Sequence, residues 1–171
     1  MDDLAVRLSS AGAAFARNRA LVERGEPWPL SPAYGAEPES AWGPKEVLAH
    51  VAEMLGFWLG EIDKIVTAPA GPIPFGRVST DPTRIARIGD DRRLPAGQLF
   101  ERIASGIDGV EQRLDQLGDE AASRTGIHER LGEMAIPTIV ERFLVGHLEE
   151  HVAQLETLLS ARPAGDVAAR G

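Results

Sequence analysis

Cysteine is absent from the 171 residues. That excludes disulfides, a cysteine nucleophile and thiolate ligation of a metal. Lysine is scarce too, with only Lys45 and Lys64 beside sixteen arginines, a bias of coding composition that carries no chemistry. Positive charge is in short supply overall. The 18 Lys and Arg against 26 Asp and Glu leave a formal charge of -8, whose field repels a phosphate backbone, so nucleic acid is not an expected partner. No apolar run approaches the roughly 20 residues needed to cross a bilayer, so no membrane span is expected. The opening Met1-Asp2-Asp3 is acidic where a secretory leader is basic and then apolar, and a cytoplasmic address is the expectation.

What is present describes one globular unit: 43% hydrophobic and 26% charged residues, in a chain long enough to bury roughly 70% of its unfolded surface. Four segments repeat apolar residues at helical spacing, and none alternates like a strand. The first runs over about 2–24, with Leu4, Leu8, Ala11, Phe15 and Val22 on one face and Gly25 and Pro27 ending it. The second opens at Gly43-Pro44, where proline suits the first helical position, and carries a stripe from Val47 to Val66 before Pro69. The third spans about 95–118 with Leu99, Ile103, Gly106, Val110, Leu114 and Leu117 in register. The fourth spans about 137–162, from Pro137 to Arg162, with Pro163 beyond. Its length of about 25 residues at ~1.5 Å each is a full bundle span.

Linkers 25–43, 67–94 and 119–136 are rich in proline or glycine and longer than the usual helix connection, which predicts crossovers. Asp81-Pro82-Thr83 reads as a cap and first turn, predicting a short helix over about 81–88. The expectation is an all-α four-helix bundle with long crossover loops, a single domain over 1–163, and a frayed tail over 164–171.

The informative residues are four histidines: His50, His128, His147 and His151. At about 100° per residue, His147 and His151 both fall inside the apolar stripe of the fourth helix, so both rings should point into the bundle. Two imidazoles in an apolar groove need partners for their nitrogens, and a divalent cation shared by residues i and i+4 supplies one. His50 lies about 110° from the centre of its stripe, at a seam from which it can face another helix. It is the candidate third ligand, the alternative being a hydrogen-bonded surface histidine. His128 reads as a loop residue, the alternative being a functional group at the mouth of the site.

The stretch Trp42-Gly43-Pro44-Lys45-Glu46-Val47-Leu48-Ala49-His50-Val51, followed about a hundred residues later by His147-Leu148-Glu149-Glu150-His151-Val152-Ala153-Gln154-Leu155, resembles the DinB/YfiT-like superfamily. Arg124 to Glu133 resembles the loop leading into the last helix of such proteins. The resemblance implies a four-helix bundle, frequently a homodimer, holding nickel or zinc through the residues matching His50, His147 and His151. It also implies metal-dependent enzymes that use a low-molecular-weight thiol such as mycothiol, bacillithiol or glutathione. In the maleylpyruvate isomerase branch the position matching His147 is a glutamate, so an all-histidine set points to the YfiT-like or generic branch.

Rival motifs fail on the same residues. His147-Leu148-Glu149-Glu150-His151 matches the inverted zinc-protease pattern H-x-x-E-H, but that family needs a distant downstream ligand and a far larger fold. Leu148 stands where H-E-x-x-H needs glutamate, and no pair of E-x-x-H motifs exists for a di-iron site.

A three-histidine ion keeps its charge and favours the anionic form of a bound water or thiol. With no cysteine in the chain, a thiolate has to come from a cosubstrate. Glu61, Glu53 and Glu150 are the nearest carboxylates by angle, with Glu61 and Glu150 the candidates for proton transfer; the alternative is that each orients a histidine. Arg77, Arg84, Arg87, Arg92 and Arg93 crowd the second linker, either to read an anionic substrate or, with Asp81, Asp90 and Asp91, as a surface of ion pairs. Trp42, Phe57 and Trp58 read as core residues that could also line a pocket or a dimer face. The leading expectation is a metal-dependent thiol S-transferase or related hydrolase acting on small electrophiles. The alternative is a non-catalytic metal-binding or stress-response bundle.

Overall fold

The computed structural model describes residues 1–69 and 71–161. The expectations for Arg162, Pro163 and the tail 164–171 lie outside the described residues. Helix α1 (Asp2–Arg24) buries Leu4, Leu8, Ala11, Phe15 and Val22 as the spacing predicts. Helix α2 (Pro44–Thr67) starts with Gly43 as cap and Pro44 in its first turn. Strand β1 (Ile73–Phe75) and helix α3 (Pro82–Asp91) lie in the second linker, α3 capped by the Asp81 carboxylate, which accepts from the Arg84 amide at 2.8 Å. Helix α4 (Ala96–Asp115) is the third long segment. A short helix α5 (Asp119–Ala122) leads into strands β2 (Thr125–His128) and β3 (Gly132–Ala135). The last helical run comprises α6 (Ile136–Val140), a π-helical turn (Glu141–Val145) and α7 (Gly146–Ser160).

Helix α2 packs on α4, α4 on α1, α1 on α7, and α7 on α2, which closes a ring around one core. Chain neighbours α1 and α2 therefore sit on opposite corners, and so do α4 and α7. This is why linkers 25–43 and 116–135 are long: each must cross the end of the bundle to a diagonal helix. Gly106 lets α4 approach α2 closely, since a Cβ there would stand 2.9 Å from that of Leu55.

Two features depart from the expectation. A three-stranded sheet, ordered β1-β2-β3 with β1 parallel and β3 antiparallel to β2, closes one flank of α2. Strand β2 alternates in burial, but Gly126 fills a buried position in a stretch of four residues, so no apolar alternation betrays it. Glycine is required there, because a Cβ would come within 2.6 Å of Phe75 and 2.7 Å of Ile65. The second departure is the π turn, whose wider winding puts both Val140 and Val145, five apart, in the core. Gly146 comes next, where a Cβ would meet the Glu141 carbonyl oxygen at 3.0 Å. Arg7 bridges Glu141 and Glu149 across this turn, at 2.7 Å to each.

Candidate metal centre

The two ends of the last helical run enter the core by different routes, and the π turn between them sets the phase of α7. Leu148, His151 and Leu155 of α7 are buried, while His147 stands at the edge with 29% of its side chain exposed. Across from them is the start of α2, where every residue from Pro44 to Val51 is buried because linker 25–43 and α3 cover the side that a free helix would show to water. His50 is thus 3% exposed, although its angle marks a seam.

The structure brings the three rings together. His50 Nε2 lies 3.0 Å from His147 Nε2, and His151 Nε2 lies 3.2 Å from the same atom. One nitrogen with one proton or one lone pair cannot serve both neighbours well as a hydrogen-bond partner. Nitrogens bound to a common ion at about 2.1 Å would be about 3.0–3.4 Å apart, so the spacing fits a shared cation. Glu39, from a single 3-10 turn (Glu39–Ala41) ahead of α2, adds a carboxylate: its Oε2 is 4.0 Å from His151 Nε2. One ligand atom from each of Glu39, His50, His147 and His151 falls within 4.8 Å of all the others, so these four residues could hold a metal ion.

Partners around the cluster fix two of its groups. Gln154 Nε2 donates to the Glu39 backbone carbonyl at 2.8 Å, which leaves Gln154 Oε1 facing His151 Nδ1 at 2.9 Å. His151 therefore carries its proton on Nδ1, and its Nε2 lone pair is free. Arg84 donates to Glu39 Oε1 and, through Nη1, to the Ser79 carbonyl at 3.0 Å. Trp42 packs edge-on to His50, ring centroids 5.4 Å apart. Burial holds His50 well below the ordinary imidazole value of 6.5, with the charges of His151, Arg84, His147 and Arg77 adding to the effect. Burial likewise lowers His151 to about 4, helped by His147 and opposed by the Gln154 hydrogen bond. Both rings are neutral near pH 7, the form that ligates a metal.

The remaining candidate residues sit around this cluster with partners of their own. Glu150 Oε2 is 3.4 Å from His147 Nδ1 and 78% exposed. Glu61 accepts from the Gly76 amide at 2.8 Å and from Lys64, away from the histidine cluster. Glu53 pairs with Arg77, whose guanidinium lies 3.7 Å over the Phe57 ring. Arg92 pairs with Glu46 at 2.8 Å, whereas Arg87 and Arg93 are exposed. The paired arginines of this linker thus meet glutamates of other segments, not the interspersed aspartates. His128 is not in a loop: it sits on β2, buried, stacked on Phe143 at 5.4 Å, and its Nδ1 accepts from the Arg130 amide. Trp58 stacks on the same Phe143 at 4.4 Å. A cavity of about 150 Å³ opens beside the cluster, lined by His50, His147, Ser79, Arg77, Trp58 and Phe143 among others. A larger one of about 330 Å³, between α1 and α4, contains no histidine.

Sequence reasoning missed Glu39 and Gln154. Gln154, three residues after His151, carried a signal, as a polar group beside a buried histidine. Glu39 carried none, since it lies in an aperiodic linker.

A search of the curated proteins finds no match. Among solved structures, the chain is similar to YfiT from Bacillus subtilis, described as a probable metal-dependent hydrolase with an unusual four-helix bundle topology. The TM-score is 0.69 at 14% identity, covering 92% of this chain and 84% of that one. No described helix is long and apolar enough to cross a membrane. A sequence model of the DinB superfamily matches residues 10–155, a span that reaches into all four long helical segments and contains all three clustered histidines. The chain belongs to the DinB superfamily.

Proposed function

We propose that the protein is a divalent-metal-dependent enzyme that activates a small nucleophile, water or a low-molecular-weight thiol, against a small electrophile. His50, His147 and His151 are the ligands in this reading. The observation that supports it most directly is the convergence of their three Nε2 atoms, with His50 and His147 lining a cavity. A bound ion, with nickel or zinc the expected choices, supplies a Lewis acid that favours the anionic form of the nucleophile near neutral pH. Gln154 keeps the His151 lone pair aimed at the cluster. Glu150 orients His147 through Nδ1. Glu39 Oε2, the oxygen that Arg84 does not hold, lies 4.0 Å from His151 Nε2 and is the carboxylate that takes the proton in this reading. Glu61, engaged by Gly76 and Lys64, supports the sheet beside the site more directly than it serves proton transfer.

Catalysis is favoured over a purely structural ion because structural sites are closed, whereas the His147 side chain borders a cavity and is 29% exposed. The description of YfiT favours water as the nucleophile. A homodimer in the cytoplasm belongs to the same proposal. The test is to reconstitute metal-free protein with Zn²⁺ or Ni²⁺ and follow release of 4-nitrophenol from 4-nitrophenyl acetate. Conjugation of glutathione, bacillithiol and mycothiol to 1-chloro-2,4-dinitrobenzene is measured beside it. Metal-dependent turnover of either, lost in His147→Ala, is the expected result, and which substrate turns over distinguishes hydrolase from transferase. Loaded protein no faster than unloaded protein on both overturns the catalytic reading.

A further inference from the structure

The nitrogen of His50 that faces away from the cluster meets a donor. Arg84 Nη2 lies 3.3 Å from His50 Nδ1, in a buried contact, and a guanidinium has donors only. His50 Nδ1 must therefore accept, which puts the proton of the neutral ring on Nε2, the atom that points at His147 Nε2 at 3.0 Å. That is the opposite tautomer from His151, whose Nδ1 donates to Gln154. His147 Nε2 accepts from His50, so its own proton belongs on Nδ1, towards Glu150. His147 and His151 thus face one another at 3.2 Å through unprotonated nitrogens, the lone pair of His147 engaged by His50 and that of His151 free, while His50 presents a proton.

A histidine that ligates through Nε2 carries its proton on Nδ1 and usually donates it to a carboxylate, carbonyl or water. For His50 that proton would point at the Arg84 donor. We propose that Arg84 holds His50 in its non-ligating tautomer, so that an ion is first gripped by His147 and His151 and gains His50 only when Arg84 withdraws from Nδ1. Arg84 is then a positioning residue that sets the metal affinity of the site. Its bonds to the Glu39 carboxylate and the Ser79 carbonyl give the guanidinium acceptors to keep once it leaves Nδ1. The proposal rests on the three-histidine metal reading.

Two measurements test it. The first uses the unaltered metal-free protein: ¹⁵N chemical shifts of the histidine side chains are expected to show His50 protonated at Nε2 and His151 at Nδ1, with His50 changing to Nδ1 when Zn²⁺ is added. A His50 already protonated at Nδ1 before the ion is added overturns the proposal. The second compares Zn²⁺ affinity, by competition with a chromophoric chelator, in Arg84→Gln, Arg84→Met and Arg84→Lys. Met, with no donor, and Gln, whose amide oxygen can accept from Nδ1, are expected to bind about tenfold more tightly, the scale on which such neighbouring groups move metal affinity, and Lys, which like Arg has donors and no acceptor, to resemble the parent. Equal or weaker binding in folded Arg84→Gln and Arg84→Met overturns the role of Arg84 alone. Absence of binding in the parent and every variant overturns the metal reading together with it.

Discussion

Gln154 ties Glu39 to His151: one end of its amide donates to the Glu39 carbonyl at 2.8 Å, and the other accepts from His151 Nδ1 at 2.9 Å. A linker that crosses the bundle and a helix more than a hundred residues later are thereby fixed to each other at the histidine cluster. Replacing Gln154 with Ala frees the imidazole to rotate and change tautomer. Zn²⁺ affinity should fall by about 10- to 100-fold, measured by chelator competition, with little change in helix content by circular dichroism.

The depressed histidines make the metal-free fold sensitive to acid. His151 titrates near 6.5 unfolded and at about 4 folded, so the unfolded chain binds the proton first. The stability that its neutral form carries is complete above about 6.5 and is lost as pH falls towards 4, amounting to about 3 kcal/mol at one such shift. His50 acts in the same direction. Urea denaturation at pH 7 and pH 4.5 should show a smaller loss for His151→Phe than for the parent, and added Zn²⁺ should protect the parent at pH 7.

Glu53 and Arg77 form an ion pair in which the glutamate side chain is 1% exposed. Removing only the cation strands a buried carboxylate. Arg77→Leu should therefore cost about 3 kcal/mol or more, while the double change Arg77→Leu/Glu53→Leu should recover much of it. Denaturant midpoints of the four proteins in the cycle measure this.

Two glycines should respond in opposite senses. Gly126→Ala drives a Cβ into Phe75 and Ile65 and should lower stability by about 1–3 kcal/mol. Gly56, within α2, has open space where a Cβ would stand, so Gly56→Ala should raise stability by about 0.5–1 kcal/mol through helix propensity. Thermal melts of both variants against the parent decide the signs.

The long helices and the His147/His151 pair were legible because both depend on a local period: apolar positions repeat at helical spacing, and residues four apart share a face. Asp81 and Pro82 marked the start of α3 for a similarly local reason. Burial of His50 was not local. Its angle on α2 marks only a seam, and its enclosure comes from linker 25–43 and α3 folding over that side. Glu39 reaches the cluster through tertiary ties to Gln154 and Arg84, which no spacing encodes. Strand β2 hid because glycine occupies a buried position in it. The π turn hid because its five residues, Glu141 to Val145, have the composition of ordinary helix.

Whether His50, His147 and His151 hold an ion is answered most directly by elemental analysis of protein purified without chelator or affinity tag, beside a His147→Ala/His151→Ala variant. Close to one equivalent of nickel, zinc or another divalent transition metal is expected, and its loss in the variant. Thermal stabilisation should accompany it, corresponding to about 2.7 kcal/mol when the ion is supplied at a hundredfold excess over Kd. Metal-free protein whose melting temperature does not move on addition of any divalent transition metal would contradict a metal site at these histidines.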